Sequence, residues 1–150
     1  KLSAARRETI AARIANVALA IGMAFIEPAE IDEIGMSAAL KKAMKIAIEQ
    51  TGVDPDCVLI DGSPVHVHPR EKTIVKGDAK IASIAAASIV AKVSRDALMV
   101  DYDAQYPAYH FAQNKGYASA DHIKAIAEYG LTPIHRTTFC GNFAKGPRLF

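Results

Sequence analysis

Two acids in this sequence stand where an α/β fold places its chemistry. Asp61 closes the apolar run Cys57-Val58-Leu59-Ile60 and is followed by Gly62. Asp78 follows a second short run, Thr73-Ile74-Val75, and opens a segment that carries no charge from Ile81 to Ala91. Ligand sites of α/β sheets form at the ends of strands. Two carboxylates meeting there can bind a hard divalent cation such as Mg²⁺, which takes oxygen ligands and keeps several waters. Spacing alone equally allows a structural role, with Asp61 capping a turn and Asp78 capping the following helix.

Cations surround this pair. Arg70, Lys72, Lys76 and Lys80 stand against Glu71 and Asp78, a cluster that can hold phosphates beside a metal or simply be a solvated face. Asn114-Lys115-Gly116-Tyr117 combines a cation, a glycine and an aromatic ring in a loop. Such a ring can lie on a sugar or a base, or cap the edge of a core. Arg136 can reach a phosphate or pair with a buried acid, and spacing does not choose. His66 and His68 have no third ligand at a useful distance and read as surface histidines. There is no phosphate-binding glycine loop, no Cys-x-x-Cys and no Gly-x-Ser-x-Gly.

The elements that must carry these residues follow from periodicity. Ser3 predicts the cap of a helix to about Leu19, with Ile10, Ile14, Val17 and Ile21 on one stripe. Met23 to Ile26 reads as a short strand. Ile31 to Ile34 reads as one helical turn stopped by Gly35, and Ser37 as the cap of a helix to about Gln50 whose stripe is Met36, Leu40, Met44 and Ile48. Cys57 to Ile60 suits a strand buried on both faces, and 73–75 a second strand. The uncharged, alanine-rich half of a long helix over 81–102 predicts burial between close neighbours. Residues 107–118 read as a loop, 120–129 as a last helix, and about 140–150 as a flexible tail. The pattern is α/β with a helical C-terminal region.

With 150 residues, 51% hydrophobic and 23% charged, the chain reads as one domain, 1–150, large enough to bury a core unaided. A net charge of +2 excludes binding nucleic acid by bulk charge, so any such contact is local. The separated cysteines Cys57 and Cys140 suggest no disulfide framework and fit a reduced, cytoplasmic setting. No apolar run is long enough to span a membrane.

Lys76-Gly77-Asp78-Ala79-Lys80, continued through Ser83 to Asp96, closely resembles the hallmark segment of bacterial ribonuclease HII. Leu59-Ile60-Asp61-Gly62 resembles the strand bearing that family's third carboxylate. Asn114 to Tyr117 is similar to its substrate-reading tyrosine loop, and His135-Arg136-Thr137-Thr138-Phe139 to its histidine–arginine–aromatic element. Lys1-Leu2-Ser3 with Arg7-Glu8, and Ile31-Asp32 with Gly35, extend a collinear match over about residues 1–139.

The resemblance implies a ribonuclease H-like fold: a mixed sheet, flanking helices and a helical C-terminal region. It implies an endonuclease that hydrolyses the phosphodiester 5′ to a ribonucleotide, in RNA–DNA hybrids or in duplex DNA with embedded ribonucleotides, and a place in ribonucleotide excision repair. Two Mg²⁺ or Mn²⁺ ions on four carboxylates would do the chemistry, with Asp61 and Asp78 as two of the four. Tyr117, Lys1, Lys76, Lys115 and Arg136 would contact the substrate. The protein would act as a monomer, away from membranes. The family's first Asp-Glu pair lies in a hairpin upstream of the position of Lys1, so the resemblance implies missing N-terminal strands, an incomplete metal site and an inactive chain. Asp32-Glu33, the only Asp-Glu step here, stands in another context. Ile81 replaces the small polar residue of many relatives. The alternatives are a non-catalytic nucleic-acid-binding homologue and the sister ribonuclease HIII, which the sequence preceding Lys1 would separate.

Overall fold

Ser3 starts the first helix as its position predicts. In the computed structural model, which describes residues 2–144, its Oγ accepts the Arg6 N–H at 3.4 Å and opens α1 (Ala4–Val17). The helix ends two residues earlier than expected, because Ala18 is already extended. Val17 and Leu19 are therefore 83% and 89% exposed, and the predicted stripe breaks off after Ile14. Met23 to Ile26 is not a strand, since it joins no ladder among the described residues. The Met23 N–H goes instead to the side-chain oxygen of Gln50, at 3.0 Å.

Pro28 begins α2 (Pro28–Ile34), where its missing N–H costs no helical bond. Gly35, at φ +81°, ends it as predicted. The next helix, α3 (Met36–Gln50), begins at Met36, so Ser37 lies inside its first turn rather than capping it. Ala39 is its buried residue, while Met36 and Leu40 of the predicted stripe stay exposed.

The sheet consists of β1 (Val58–Asp61) and β2 (Glu71–Ile74), paired in parallel with Val58 opposite Glu71 and Asp61 opposite Ile74. Both strands thus end together. The connection between them is held by Glu71, whose carboxylate accepts N–H bonds from Val65, His66 and Val67 at 2.9, 3.2 and 2.8 Å. These bonds, Val67's first, hold the Glu71 carboxyl below its ordinary pKa. Burial on both faces is not realised for β1: Ile60 is buried, but Val58 and Leu59 are only half-buried.

A 3₁₀ turn over Gly77–Ala79 leads into α4 (Ala82–Gln105). The burial expected for its alanine-rich half is only partly realised. Ile84 is buried, whereas Ala82, Ser83, Ala87 and Ala91 are exposed. Small side chains permit close approach only where a neighbour stands. Here Ser83, Ala87 and Ala91 border an open cavity of about 560 Å³, shared with Ile14, Ile21 and Met44.

Two compact units divide the chain, Lys1–Phe25 with Ser37–Ser94, and Ile26–Met36 with Arg95–Phe150. The second unit has its own core of Met99, Tyr109, Phe111, Ala125 and Ile126. The predicted loop 107–118 contains a 3₁₀ turn (Pro107–Tyr109) and α5 (Phe111–Asn114), which carry two of these core rings. The Phe111 and Tyr109 rings lie nearly parallel, 5.6 Å apart. The predicted helix 120–129 is α6 (Ala120–Tyr129), opened by Ser119 and closed by Gly130 at φ +83°. Cys140 closes a further turn, α7 (Thr137–Cys140), and Phe143 packs on the core. The rest of the predicted tail, 145–150, lies outside the described residues.

Two histidines lie within this apolar unit. His122 and His135 are 3% and 6% exposed, with their Nε2 atoms 3.0 Å apart. Burial first, then the neighbouring His122, holds His135 below the ordinary histidine pKa of 6.5. The unfolded chain therefore takes this proton first, so the contribution is full above about pH 6.5 and is lost as pH falls through the lowered value. The thermal midpoint should decline from about pH 7 to about pH 5, a window above the carboxylates. The decline should shrink in His135→Asn, and a flat profile in the unaltered chain would contradict the coupling.

Candidate active site

The parallel register brings the two predicted acids to one end of the strand pair. Asp61 is the last residue of β1, opposite Ile74, and Asp78 lies four positions past Ile74 in the 3₁₀ turn. The join is explicit. The Gly77 N–H donates to Oδ1 of Asp61 at 2.8 Å. The Gly77 carbonyl in turn accepts from Lys80 and Ile81 at 3.0 and 2.8 Å, which starts the run into α4. One residue thus connects the end of β1 with the head of the long helix. A side chain at 77 would place its Cβ 2.6 Å from Cδ1 of the buried Ile84, so glycine fits the close approach. Asp61 meets its structural alternative in altered form, since its carboxylate accepts the first amide of the 3₁₀ turn, while Asp78 does not act as a cap. Asp61 binds a backbone amide 16 residues away rather than its own turn, and the Asp78 carboxylate has no hydrogen bond or ion pair among the described residues.

Both acids are exposed. Asp61 borders two open cavities, one of about 490 Å³ with Leu59, Ile84 and Ala87, the other of about 450 Å³ with Lys41 and Ser63. The surrounding cations separate by register. Arg70 precedes the start of β2, at the opposite end of the pair, and forms an ion pair with Asp54. Lys80 donates to the Val75 carbonyl at 2.8 Å. Lys76, in the left-handed conformation at φ +56°, stays exposed directly before Gly77-Asp78.

Tyr117, Lys115 and Arg136 belong to the other unit. The Tyr117 ring is 70% exposed, with the Arg95 guanidinium 5.8 Å from its centroid. Arg95 also donates to the Lys115 carbonyl at 3.2 Å. The Lys115 ammonium reaches the Asp96 carbonyl at 3.5 Å, so it turns toward α4 rather than standing free. Arg136 stacks on Phe139 at 4.7 Å. Lys1 lies outside the described residues.

The sequence model of the family described as Ribonuclease HII matches residues 1–142. The chain belongs to the ribonuclease HII family. It is 47% identical over 139 residues to ribonuclease HII of Enterococcus faecalis, covering 93% of this chain and 54% of that protein. It is 50% identical over 142 residues to ribonuclease HII of Geobacter metallireducens, covering 94% and 67%. The chain thus spans between about half and two thirds of the length of these curated relatives. The fold is similar to the crystal structure of the ribonuclease H2 from Pyrococcus horikoshii, with a TM-score of 0.78 at 22% identity, covering 97% of this chain and 80% of that one.

Three residues important to the geometry within the units escape the sequence reading. Gly77 appears there only as part of a motif, yet its amide fixes Asp61. Arg95 reads as an ordinary helix charge, yet it faces Tyr117. Asp32 reads as one residue of a short turn, yet its carboxylate accepts the N–H and the hydroxyl of both Thr137 and Thr138. These hydroxyls lead the bonds that lower its pKa. The 105-residue separation of that contact leaves no local signal.

The donor set at the strand end suits a hard divalent cation in kind, two exposed carboxylates that leave room for water. In number it is partial. No group of three or more His, Cys, Asp or Glu side chains converges among the described residues.

The Asp61–Gly77 bond separates structural from chemical roles. Asp61→Ala leaves the amide of buried Gly77 unpaired and should cost about 1–3 kcal/mol. Asp61→Asn keeps an acceptor and should cost less. Asp78→Ala should stay within about 0.5 kcal/mol. Urea unfolding of the three variants checks this, and equal stabilities for the two alanine variants would mean the bond contributes nothing.

Proposed function

We propose that this chain forms part of the active site of an endonuclease that hydrolyses the phosphodiester 5′ to ribonucleotides, in RNA–DNA hybrids or in duplex DNA with embedded ribonucleotides. The observation that carries this reading is the placement of Asp61 and Asp78 at one end of the strand pair, with Asp61 bonded to the amide of Gly77, the residue before Asp78. Family membership supports it. Asp61 and Asp78 would hold Mg²⁺ or Mn²⁺. Bound there, the metal supplies charge stabilisation at the phosphate and an activated water.

The chain's own residues do the rest. Asp61 is held in one orientation by the Gly77 amide. Lys76, exposed beside Asp78, would attract the phosphate backbone. The open Tyr117 ring would lie on the sugar next to the ribonucleotide, and Arg136 would meet a phosphate through the guanidinium edge that its stacking on Phe139 leaves free. Lys115 makes the weakest of these contacts, because its ammonium already has a carbonyl partner. Two carboxylates supply too few ligands for two ions in fixed geometry, so the 150 residues alone should turn over little or no substrate.

The test is cleavage of a DNA duplex carrying one ribonucleotide, with Mg²⁺ or Mn²⁺. In a full-length ribonuclease HII containing this segment, Asp61→Asn and Asp78→Asn should each lower the rate roughly 100-fold or more. The 150-residue chain should give no turnover. Undiminished cleavage in either variant would remove these acids from the chemistry. Duplex binding that ignores metal, without cleavage in the full-length protein, would favour the binding homologue.

A further inference from the structure

The buried histidine pair makes one continuous hydrogen-bonded chain whose polarity is fixed at both ends. At one end, Nδ1 of His122 lies 2.9 Å from the Tyr117 carbonyl. A carbonyl only accepts, so this nitrogen carries a proton and Nε2 of neutral His122 is a lone pair. At the other end, the Thr132 N–H meets Nδ1 of His135 at 3.0 Å, with the Thr132 hydroxyl at 2.8 Å. A backbone N–H only donates, so that nitrogen is a lone pair and Nε2 of His135 carries the proton. The 3.0 Å contact between the two Nε2 atoms is then a proper hydrogen bond from His135 to His122. The two ends demand the same polarity at the middle. A proton on either ring would set N–H against N–H at one of these three contacts. Desolvation of His135, which lowers its pKa, favours the neutral form required.

This chain ends on the residue whose ring stands in solvent. We propose that His122 and His135 are positioning residues that pin the Tyr117 backbone and so present its exposed ring in one orientation to the duplex. The proposal rests on the assignment of Tyr117 to substrate reading. Other bonds hold the remainder of the same loop. The Asn114 amide donates to the Tyr109 carbonyl at 2.6 Å, and its oxygen accepts the Gly116 N–H at 2.8 Å. Arg95 holds the Lys115 carbonyl. The Tyr117 N–H bonds the Asn114 carbonyl at 2.9 Å and the Tyr117 carbonyl also accepts the Ser119 N–H at 2.8 Å, both local contacts, whereas the histidine chain ties that carbonyl to the turn at Thr132. Phe111 and Tyr109 pack around the imidazoles, with ring centroids 5.2–5.6 Å away. These walls leave the pair little freedom to re-pair.

The test begins on the unaltered 150-residue chain. Long-range ¹H–¹⁵N NMR should find His122 protonated only at Nδ1 and His135 only at Nε2, and any other pattern overturns the proposal. His122→Leu should increase the mobility of the 114–117 amides. It should also weaken binding of a fluorescent DNA duplex with one ribonucleotide roughly tenfold, as should Tyr117→Ala. His122→Asn places an amide N–H near the former Nδ1 and should restore most of both. The double variant Tyr117→Ala/His122→Leu should bind no more weakly than Tyr117→Ala. Additive losses, or equal loosening in His122→Asn and His122→Leu, would reduce the pair to general core packing. Unchanged binding in Tyr117→Ala would fail the substrate-reading assignment, while the tautomers and loop order would still decide the pinning.

Discussion

The bond from the Gly77 amide to the Asp61 carboxylate is the constraint on which the candidate chemistry depends. A pair of four-residue strands is a weak platform for fixing two acids, since an isolated two-stranded ribbon is marginal in water. The ladder places the strand ends side by side but does not orient a terminal side chain. The amide bond does, because a carboxylate accepting a backbone N–H loses its rotational choice. Gly77 also receives the first bonds of the run into α4. The acid, the turn and the helix head therefore share one residue, and the missing side chain at 77 lets that residue lie against Ile84.

The same device recurs wherever regular structure is sparse. Glu71 gathers three amides of the loop between the strands. Asp32 gathers two amides and two hydroxyls at the start of α7, tying that turn to α2. His122 and His135 tie the Tyr117 carbonyl to Thr132. Each is a side chain completing backbone groups that no helix or ladder satisfies. Within each unit, the segments that carry Asp61 and Tyr117 are thus held by polar contacts with few alternatives, rather than by apolar packing, which is tolerant of sliding.

How much of this was legible in the sequence follows from the range of each interaction. Helix starts and stops depend on neighbours three or four residues away, so Ser3 and Gly35 mark their boundaries correctly, although Ser37 does not. The strand end at Asp61 and the turn at Asp78 were readable as one apolar run and one motif. Burial was not readable. Val58 and Leu59, the alanines of α4, and Val17 have the composition of enclosed positions but are half-buried or exposed. Periodicity reports what a segment is suited to pack against, and the presence of the packing partner is a tertiary fact. Met23 to Ile26 failed as a strand for the same reason, since a ladder requires a second backbone.

His122 shows the sharper limit. On its own it is a polar residue in an amphipathic helix, with nothing in its spacing to set it apart. Its role exists only through His135, thirteen residues on, and both depend on the rings of Tyr109 and Phe111 to exclude water. Two imidazoles suit this position for a chemical reason. Each neutral ring donates from one nitrogen and accepts at the other, so two in series transmit one direction of hydrogen bonding from an amide to a carbonyl. A lysine or an arginine could only donate, a carboxylate could only accept, and either would leave a charge in the core. The residue types follow from the two backbone groups that are joined, one a donor and one an acceptor, through a buried interior.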